Sequence, residues 1–327
     1  MNKILEHTDQ LNKLIKNYQS KNLHTSILFY GPKGLGKRST INQFIIKSLK
    51  NNFDEKNYLH HYNLFNNNTH PNILLIEKEI DKKSNKFKST ITIDQIRKVK
   101  KFINESVSIS KFSKIVIIDS ADDLNLNSAN SLLKSLEEPR KNTYIFLISH
   151  QISSLLPTIR SRCLKVRFNK LAYNNFENII KTFFPNISDN EINLYYDLTN
   201  GSPGQAISII QENMIDVFDL TLETLNYNKL DDFKIQLTEI LSQYDNEKFR
   251  TYLSLLKSIL ILSINIKNPS YKTNQYLVNK FNSLDKLSNN LSKDNIIDRF
   301  NFLSNNETDL FKYNLDKKLF MLKFLTD

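Results

Sequence analysis

Ser26-Ile27-Leu28-Phe29-Tyr30-Gly31-Pro32-Lys33-Gly34-Leu35-Gly36-Lys37-Arg38-Ser39-Thr40 decides the fold. Ser26 to Tyr30 reads as a strand buried on both faces, because its apolar residues do not alternate with polar ones. It runs directly into G-x-x-x-x-G-K, from Gly31 to Lys37, and a helix follows with Ile41, Phe44, Ile45 and Leu49 on one face. A strand before and a helix after are the context in which this motif forms a phosphate-binding loop. Its glycines let backbone N–H groups converge on phosphate oxygens, and the helix N-terminus adds partial positive charge. Lys37 is placed to reach the β- and γ-phosphates. Gly31, Pro32, Gly34, Leu35, Gly36, Lys37, Arg38 and Ser39 are therefore the candidate nucleotide contacts.

Glycine usage supports this. The 327 residues contain only 5 glycines, about a quarter of the usual number. They are Gly31, Gly34, Gly36, Gly201 and Gly204, all in two short segments. Glycine so sparingly used is expected where the backbone needs positive φ or close approach.

The pattern breaks after the lysine. A Ser or Thr hydroxyl should follow and hold Mg²⁺, but Arg38 stands there and Ser39 comes one step late, rotated roughly 100° around the helix. A cation at this position would also repel a metal. Lost or weak hydrolysis is the favoured reading; the other is an Arg38 pointing to solvent with water replacing the hydroxyl.

Further strands are expected at Ile73–Ile76, Ile115–Ile118, Tyr144–Ile148 and Lys165–Phe168. The third ends at Asp119, where a carboxylate would hold Mg²⁺ through water. Ser120 follows, and a neutral hydroxyl cannot act as a base for the attacking water at pH 7. Asp122 and Asp123 read as solvated or as a helix start signal. Asp94 is expected to cap a helix carrying Ile96, Val99, Phe102 and Ile103, and Pro139 to stop a helix carrying Ala129, Leu132, Leu133 and Leu136. Residues 50–69 read as Asn-rich and irregular, and Asp81–Ser89 as a basic polar loop. Strands alternating with helices imply a parallel α/β sheet. After Phe168 the strand signals fade into short helices around Gly201-Ser202-Pro203-Gly204, then a helical stretch without glycine.

Composition bounds the rest. The chain is 40% hydrophobic and 24% charged, with no apolar run near a membrane span and no signal-peptide core at its start, so the cytoplasm is the expected compartment. Cys163 is the only cysteine, which leaves no internal disulfide and no cysteine-cluster metal site. We read it as a small buried hydrophobe. The net charge of +11 fits a polyanionic partner such as nucleic acid. A Lys-, Asn- and Ile-rich chain of AT-rich coding would show the same excess, so charge alone decides nothing.

Asp119-Ser120-Ala121-Asp122-Asp123-Leu124-Asn125, Ala129-Asn130-Ser131-Leu132-Leu133-Lys134-Ser135-Leu136-Glu137-Glu138-Pro139 and Leu155-Leu156-Pro157-Thr158-Ile159-Arg160-Ser161-Arg162-Cys163 together resemble the AAA+ clamp-loader family. Within it, the chain resembles the delta-prime subunits of bacterial DNA polymerase III. The resemblance is dense over residues 22–206 and rests on helical composition beyond.

The resemblance implies an AAA+ P-loop domain with a parallel five-stranded sheet over 1–168. A small helical lid over 169–211 and an all-α collar over 212–327 would follow. It implies that Ser149 is the sensor beside the γ-phosphate. It also implies that Ser161 and Arg162 form an arginine finger acting in a neighbouring subunit's ATP site. Gly204 stands where hydrolysing members carry a sensor arginine. Many members hold zinc in a four-cysteine module between the P-loop and the second strand; here His60, His61 and His70 have no partners for it, and no zinc is expected. His70-Pro71-Asn72 resembles a structural lead-in to the second strand.

The implied partners are gamma/tau- and delta-type subunits, with the sliding clamp and primer–template DNA reached through the assembly. Arg97, Lys98, Lys100 and Lys101 are either DNA phosphate contacts or a solvated helix face. ATP or ADP would be held without hydrolysis, with little role for Mg²⁺. The alternatives are an ATP-hydrolysing motor subunit of gamma/tau type and a P-loop phosphotransferase. The latter leaves Ser161-Arg162-Cys163 unexplained.

Overall fold

The unbroken apolar strands do form one parallel sheet. The computed structural model of the chain describes residues 7–80, 87–88, 90–226, 232–266 and 290–326. It divides into two units, Met1–Lys170 and Leu171–Asp327. In the first, β1 (Ser26–Tyr30), β2 (Ile73–Ile76), β3 (Lys114–Ile118), β4 (Thr143–Ser149) and β5 (Leu164–Arg167) lie in the order β2-β3-β4-β1-β5. All neighbours are parallel, with Tyr30 level with Ser149 and Ile118 level with Leu147. The carboxyl ends of the adjacent strands β3, β4 and β1 therefore deliver Asp119, Ser149 and Gly31 to one edge, where open α/β sheets bind ligands.

Helices cover both faces. α1 (Thr8–Gln19) and α2 (Lys37–Asn52) pack with an aromatic cluster on one side. There Phe146 meets Phe29 at 5.9 Å and Phe44 at 5.4 Å, and Tyr18 meets Phe44 edge-on at 5.3 Å. Such pairs add roughly 0.5–1.5 kcal/mol each beyond area burial. On the other side, Ile96 and Val99 of α4 (Ile93–Asn104) and Leu132 and Leu136 of α5 (Leu126–Glu137) join Leu28, Val116, Ile118, Ile145 and Leu147 in one buried cluster. Buried Lys114 ties α4 to the sheet. Its Nζ donates to Phe102 O and, at 2.8 Å, to Glu105 O, so a cation caps the carbonyls of the helix end.

The structure corrects several local expectations. Residues 50–69 are not irregular: α2 runs to Asn52 and α3 spans Glu55–Asn66, capped by Asp54 accepting from Asn57 N at 2.9 Å. Thr92, not Asp94, caps α4, through a capping box with Gln95; Asp94 lies in the first turn. The polar loop at Asp81–Ser89 lies mostly outside the described residues. In His70-Pro71-Asn72 the proline is exposed while His70 and Asn72 are buried, and Asn72 Nδ2 donates to Ile109 O at 2.9 Å and Phe112 O at 2.6 Å.

The second unit is helical throughout its described residues. α7 (Tyr173–Phe183), α8 (Asp189–Leu198) and α9 (Pro203–Gln211) pack on one another, and α8 and α9 also meet α12 (Asn246–Ile266). α10 (Met214–Asn226), α11 (Asp232–Ser242) and the helices Lys293–Lys312 and Lys317–Thr326 complete it. α12 is long and apolar enough to cross a bilayer, although no apolar run stood out in the sequence. Here its Phe249, Tyr252, Leu253 and Leu256 are buried core, and Tyr252 Oη pairs with Thr221 Oγ1 at 2.7 Å. Gly201, at φ 68°, closes α8 by donating its N–H to Tyr196 O at 2.9 Å.

Candidate nucleotide site

Positive φ shapes the loop after β1. Gly31 sits at φ 142°, and a Cβ there would lie 2.3 Å from Phe168 O, so both conformation and space demand glycine. Gly36, at φ 78°, precedes α2, and a Cβ on it would meet nothing; there the backbone conformation alone selects glycine. Leu35 is buried and anchors the loop, while Pro32 and Lys33 are exposed.

Lys37 turns back into the loop. Its side chain is buried, and Nζ donates to Gly31 O at 2.6 Å and Pro32 O at 2.7 Å. Burial pulls its pKa down to about 8, against the opposing charges of Asp122 and Asp119. A buried ammonium inside a ring of glycine-shaped backbone fits the polyphosphate of a nucleotide. Gly31, Gly34, Gly36 and Lys37 would hold it.

Arg38 does not point into solvent. Nη1 lies 3.5 Å from Asp119 Oδ2 with both side chains 27% exposed, and Nε donates to Asn42 Oδ1 at 3.1 Å. Burial lowers its pKa, while Asp119 and Glu77 oppose that. Ser39 faces solvent, as its rotation around α2 predicts. Thr40 Oγ1 is spent on Gly36 O at 3.0 Å. Asp119 Oδ1 accepts the Ser120 N–H at 3.0 Å, and Ser120 takes φ 60°.

Mg²⁺ does not fit these residues. The hydroxyl that would bind it is missing, and the remaining carboxylate already faces a guanidinium. A divalent ion within about 4 Å of that charge would meet repulsion on the order of 8 kcal/mol at an effective dielectric of 20, before screening by its waters and by phosphate.

Asp122 is neither solvated nor a helix start. It accepts Ser149 Oγ at 2.7 Å, His150 N at 2.6 Å, Gln151 N at 3.2 Å and Ser154 Oγ at 2.8 Å. It thereby fixes the segment after β4, and the buried Ser149 hydroxyl points at Asp122. Asp123 pairs with Lys78 at 3.3 Å. The sequence placed both aspartates beyond a strand but gave no sign of the four donors around Asp122.

Arg162 lies at the end of the short helix Pro157–Ser161. Its guanidinium pairs with Glu137, the last residue of α5, and Nη1 donates to Thr158 O at 2.9 Å. An open groove of about 470 Å³ is lined by His24, Thr25, Leu136, Glu137, Ser161 and Arg162. Ser161 Oγ donates to Thr158 O at 3.1 Å. Neighbouring Cys163 is buried, and its thiol is pushed up to about 12, which suits packing rather than nucleophilic chemistry.

On α4, Arg97 is paired with Asp94 at 2.7 Å and Lys98 with Glu79 at 3.0 Å. Lys101 is exposed and Lys100 half-buried. Two of the four basic residues are thus already engaged within the chain.

Comparison with known proteins agrees with this architecture. Residues 6–172, just over half the chain, match the family model described as DNA polymerase III, delta subunit. The Pseudomonas aeruginosa DNA polymerase III subunit delta' is 36% identical over 141 residues, 42% of this chain and 41% of that protein's length. The Escherichia coli K12 subunit delta' is 26% identical over 66% of this chain and 63% of its own. The Buchnera aphidicola subunit gamma is 26% identical over 93% of this chain and 89% of its own. With its sheet, P-loop and Ser161-Arg162-Cys163 segment, the chain belongs to the clamp-loader family of DNA polymerase III subunits.

Proposed function

We propose that this chain is a delta-prime-like stator of a bacterial, cytoplasmic clamp loader. It holds nucleotide without turning it over and lends Arg162 to the ATP site of a neighbouring subunit. Its partners are gamma/tau- and delta-type subunits, and through them the sliding clamp and primer–template DNA. Lys100 and Lys101 are the better candidates on α4 for phosphate contacts, since Arg97 and Lys98 already have carboxylate partners.

One observation carries the reading. Arg38 stands against Asp119 at the P-loop, at the place hydrolysis would give to a metal. Ser120 supplies no base for the attacking water, and Gly204 supplies no sensor arginine at the second position of α9. Arg162 meanwhile lines an open groove. A planar, permanently charged guanidinium is suited to stabilise a transferring phosphoryl group in trans. The chain would thus contribute to the DNA polymerase III holoenzyme without ATPase or polymerase activity of its own.

The long match to a gamma subunit supports a second reading, an ATP-hydrolysing motor. Turnover by the isolated chain decides between the two. We expect none above background. Mg²⁺-dependent turnover lost in Lys37→Ala would establish the motor instead. The trans role is tested by Arg162→Ala in the reconstituted assembly, where an unchanged ATPase rate removes it.

A further inference from the structure

We propose that the P-loop takes the polyphosphate of a nucleoside di- or triphosphate without a divalent cation, the Arg38 guanidinium standing in for the metal. This rests on the loop being a nucleotide site, as read above, and not on the role of Arg162.

A metal at a P-loop does two things. It neutralises phosphate charge, and it links the phosphates to the carboxylate at the end of the third strand. Arg38 is built to do both. It follows Lys37 directly on the first turn of α2, so its position is fixed by the same helix that orients the lysine. Asn42, one turn later on α2, holds Nε at 3.1 Å, and Asp119 Oδ2 stands 3.5 Å from Nη1. Nη2 is not part of either contact. A guanidinium offers five N–H donors in a plane, a geometry that matches phosphate oxygens in pairs.

The other groups agree. Asp119 Oδ1 is held by the Ser120 N–H at 3.0 Å, so the carboxylate is oriented without metal. Ser39 faces solvent and Thr40 Oγ1 is turned back to donate to Gly36 O, so neither hydroxyl stands directly after Lys37, where a metal-binding hydroxyl belongs. Lys37 and Arg38 together place two positive charges at the loop, the charge a divalent ion would add to lysine being partly supplied by arginine. Nothing in this arrangement promotes attack on the γ-phosphate. Cation-free binding and absent hydrolysis follow from the same substitution.

The test is equilibrium binding of fluorescently labelled ADP and ATP to the full-length chain, in excess Mg²⁺ and in excess EDTA. The wild-type affinities should agree within about threefold, a difference under ~1 kcal/mol. Lys37→Ala should abolish binding in both buffers. Arg38→Thr, which returns a hydroxyl to the metal position, should weaken binding in EDTA by roughly tenfold to a hundredfold, the range for losing charge-assisted hydrogen bonds. Added Mg²⁺ should restore it.

A wild-type affinity that falls by about tenfold or more on chelation would overturn the proposal, and so would absence of binding in both buffers. The wild-type titration needs no variant, so a misfolded Arg38→Thr protein cannot obscure the answer. Either failure leaves the Arg162 assay in the assembly unaffected, so the two claims fall separately.

Discussion

Arg38 and Arg162 each face a carboxylate in the same unit, yet their surroundings send them in opposite directions. Asp119 directly follows the interior strand β3, and its second oxygen is already taken by the Ser120 N–H. Arg38 is also fastened to Asn42, so its charge is committed to its own loop. Glu137 is an exposed residue at the end of α5, its side chain 45% exposed beside an open groove, and Arg162 holds it with a 31% exposed side chain. An ion pair that exposed is worth roughly 0–1 kcal/mol, little enough for the polyphosphate of the proposed trans site to displace it. On the proposed reading, the carboxylate's fixation, more than the arginine itself, decides whether a guanidinium serves its own site or another.

The largest expected effect tests the contrast directly. In the reconstituted assembly, Arg162→Ala should lower ATPase by a factor approaching about 10³, the lower end of what an arginine finger contributes. Arg38→Ala should leave that rate within about twofold, since its charge acts only on this chain's loop. Equal losses from both would erase the distinction.

Next comes the pH dependence of the P-loop. Lys37, lowered to about 8 in the free chain, must be charged to hold phosphate. Bound anion raises its pKa, so binding takes up a proton as pH passes above 8. Affinity should be flat below about pH 7 and then fall by up to about tenfold per pH unit above 8. Isothermal titration in two buffers of different ionisation enthalpy reads the proton uptake. A flat profile to pH 10 would remove Lys37 from the phosphate contacts.

A smaller effect belongs to Glu137. If its pairing with Arg162 is a resting contact, Glu137→Gln should change the assembly's ATPase by less than about fivefold, matching the ~1 kcal/mol ceiling of an exposed pair. A loss as deep as that of Arg162→Ala would instead make Glu137 the group that aims the finger.

The parts of this site that lie on strand ends were legible in the sequence, because unbroken apolar runs and a glycine-framed lysine have few alternative foldings. Gly31, Lys37, Asp119 and Ser149 meet at one sheet edge as the strand order requires. The parts that depend on side-chain partners were not legible. Asp122 gathers four donors from a segment 27 to 32 residues away, a contact no local pattern encodes. The Arg38–Asp119 pair spans 81 residues. α3 was hidden by asparagine, a weak helix former, although Asp54 and Glu55 were an available start signal. Thr92 outcompeted Asp94 as a cap because Gln95 completes its box.

The last prediction supplies a control on the same unit that involves no phosphate. His70 is buried, its Nδ1 accepts the Asn72 N–H at 3.2 Å, and its ring lies 5.3 Å from that of His61 and 5.6 Å from that of Phe112. Burial first, then the nearby His61 and His60, pull its pKa from 6.5 down to about 4. The unfolded chain therefore takes up this proton near pH 6.5, and the folded chain only near 4. Stability is unaffected above about pH 7 and declines as pH falls from about 6.5 toward 4. Allowing for solvent screening, the loss between pH 7 and 5 should be about 1 kcal/mol. That is a fall in Tm of roughly 2–4 °C for a unit of this size. His70→Gln should flatten this part of the melting profile, while leaving the Arg162 and Arg38 phenotypes where they stand. If it also shifts either arginine's effect, those effects report on the packing of the whole unit rather than on their separate carboxylates.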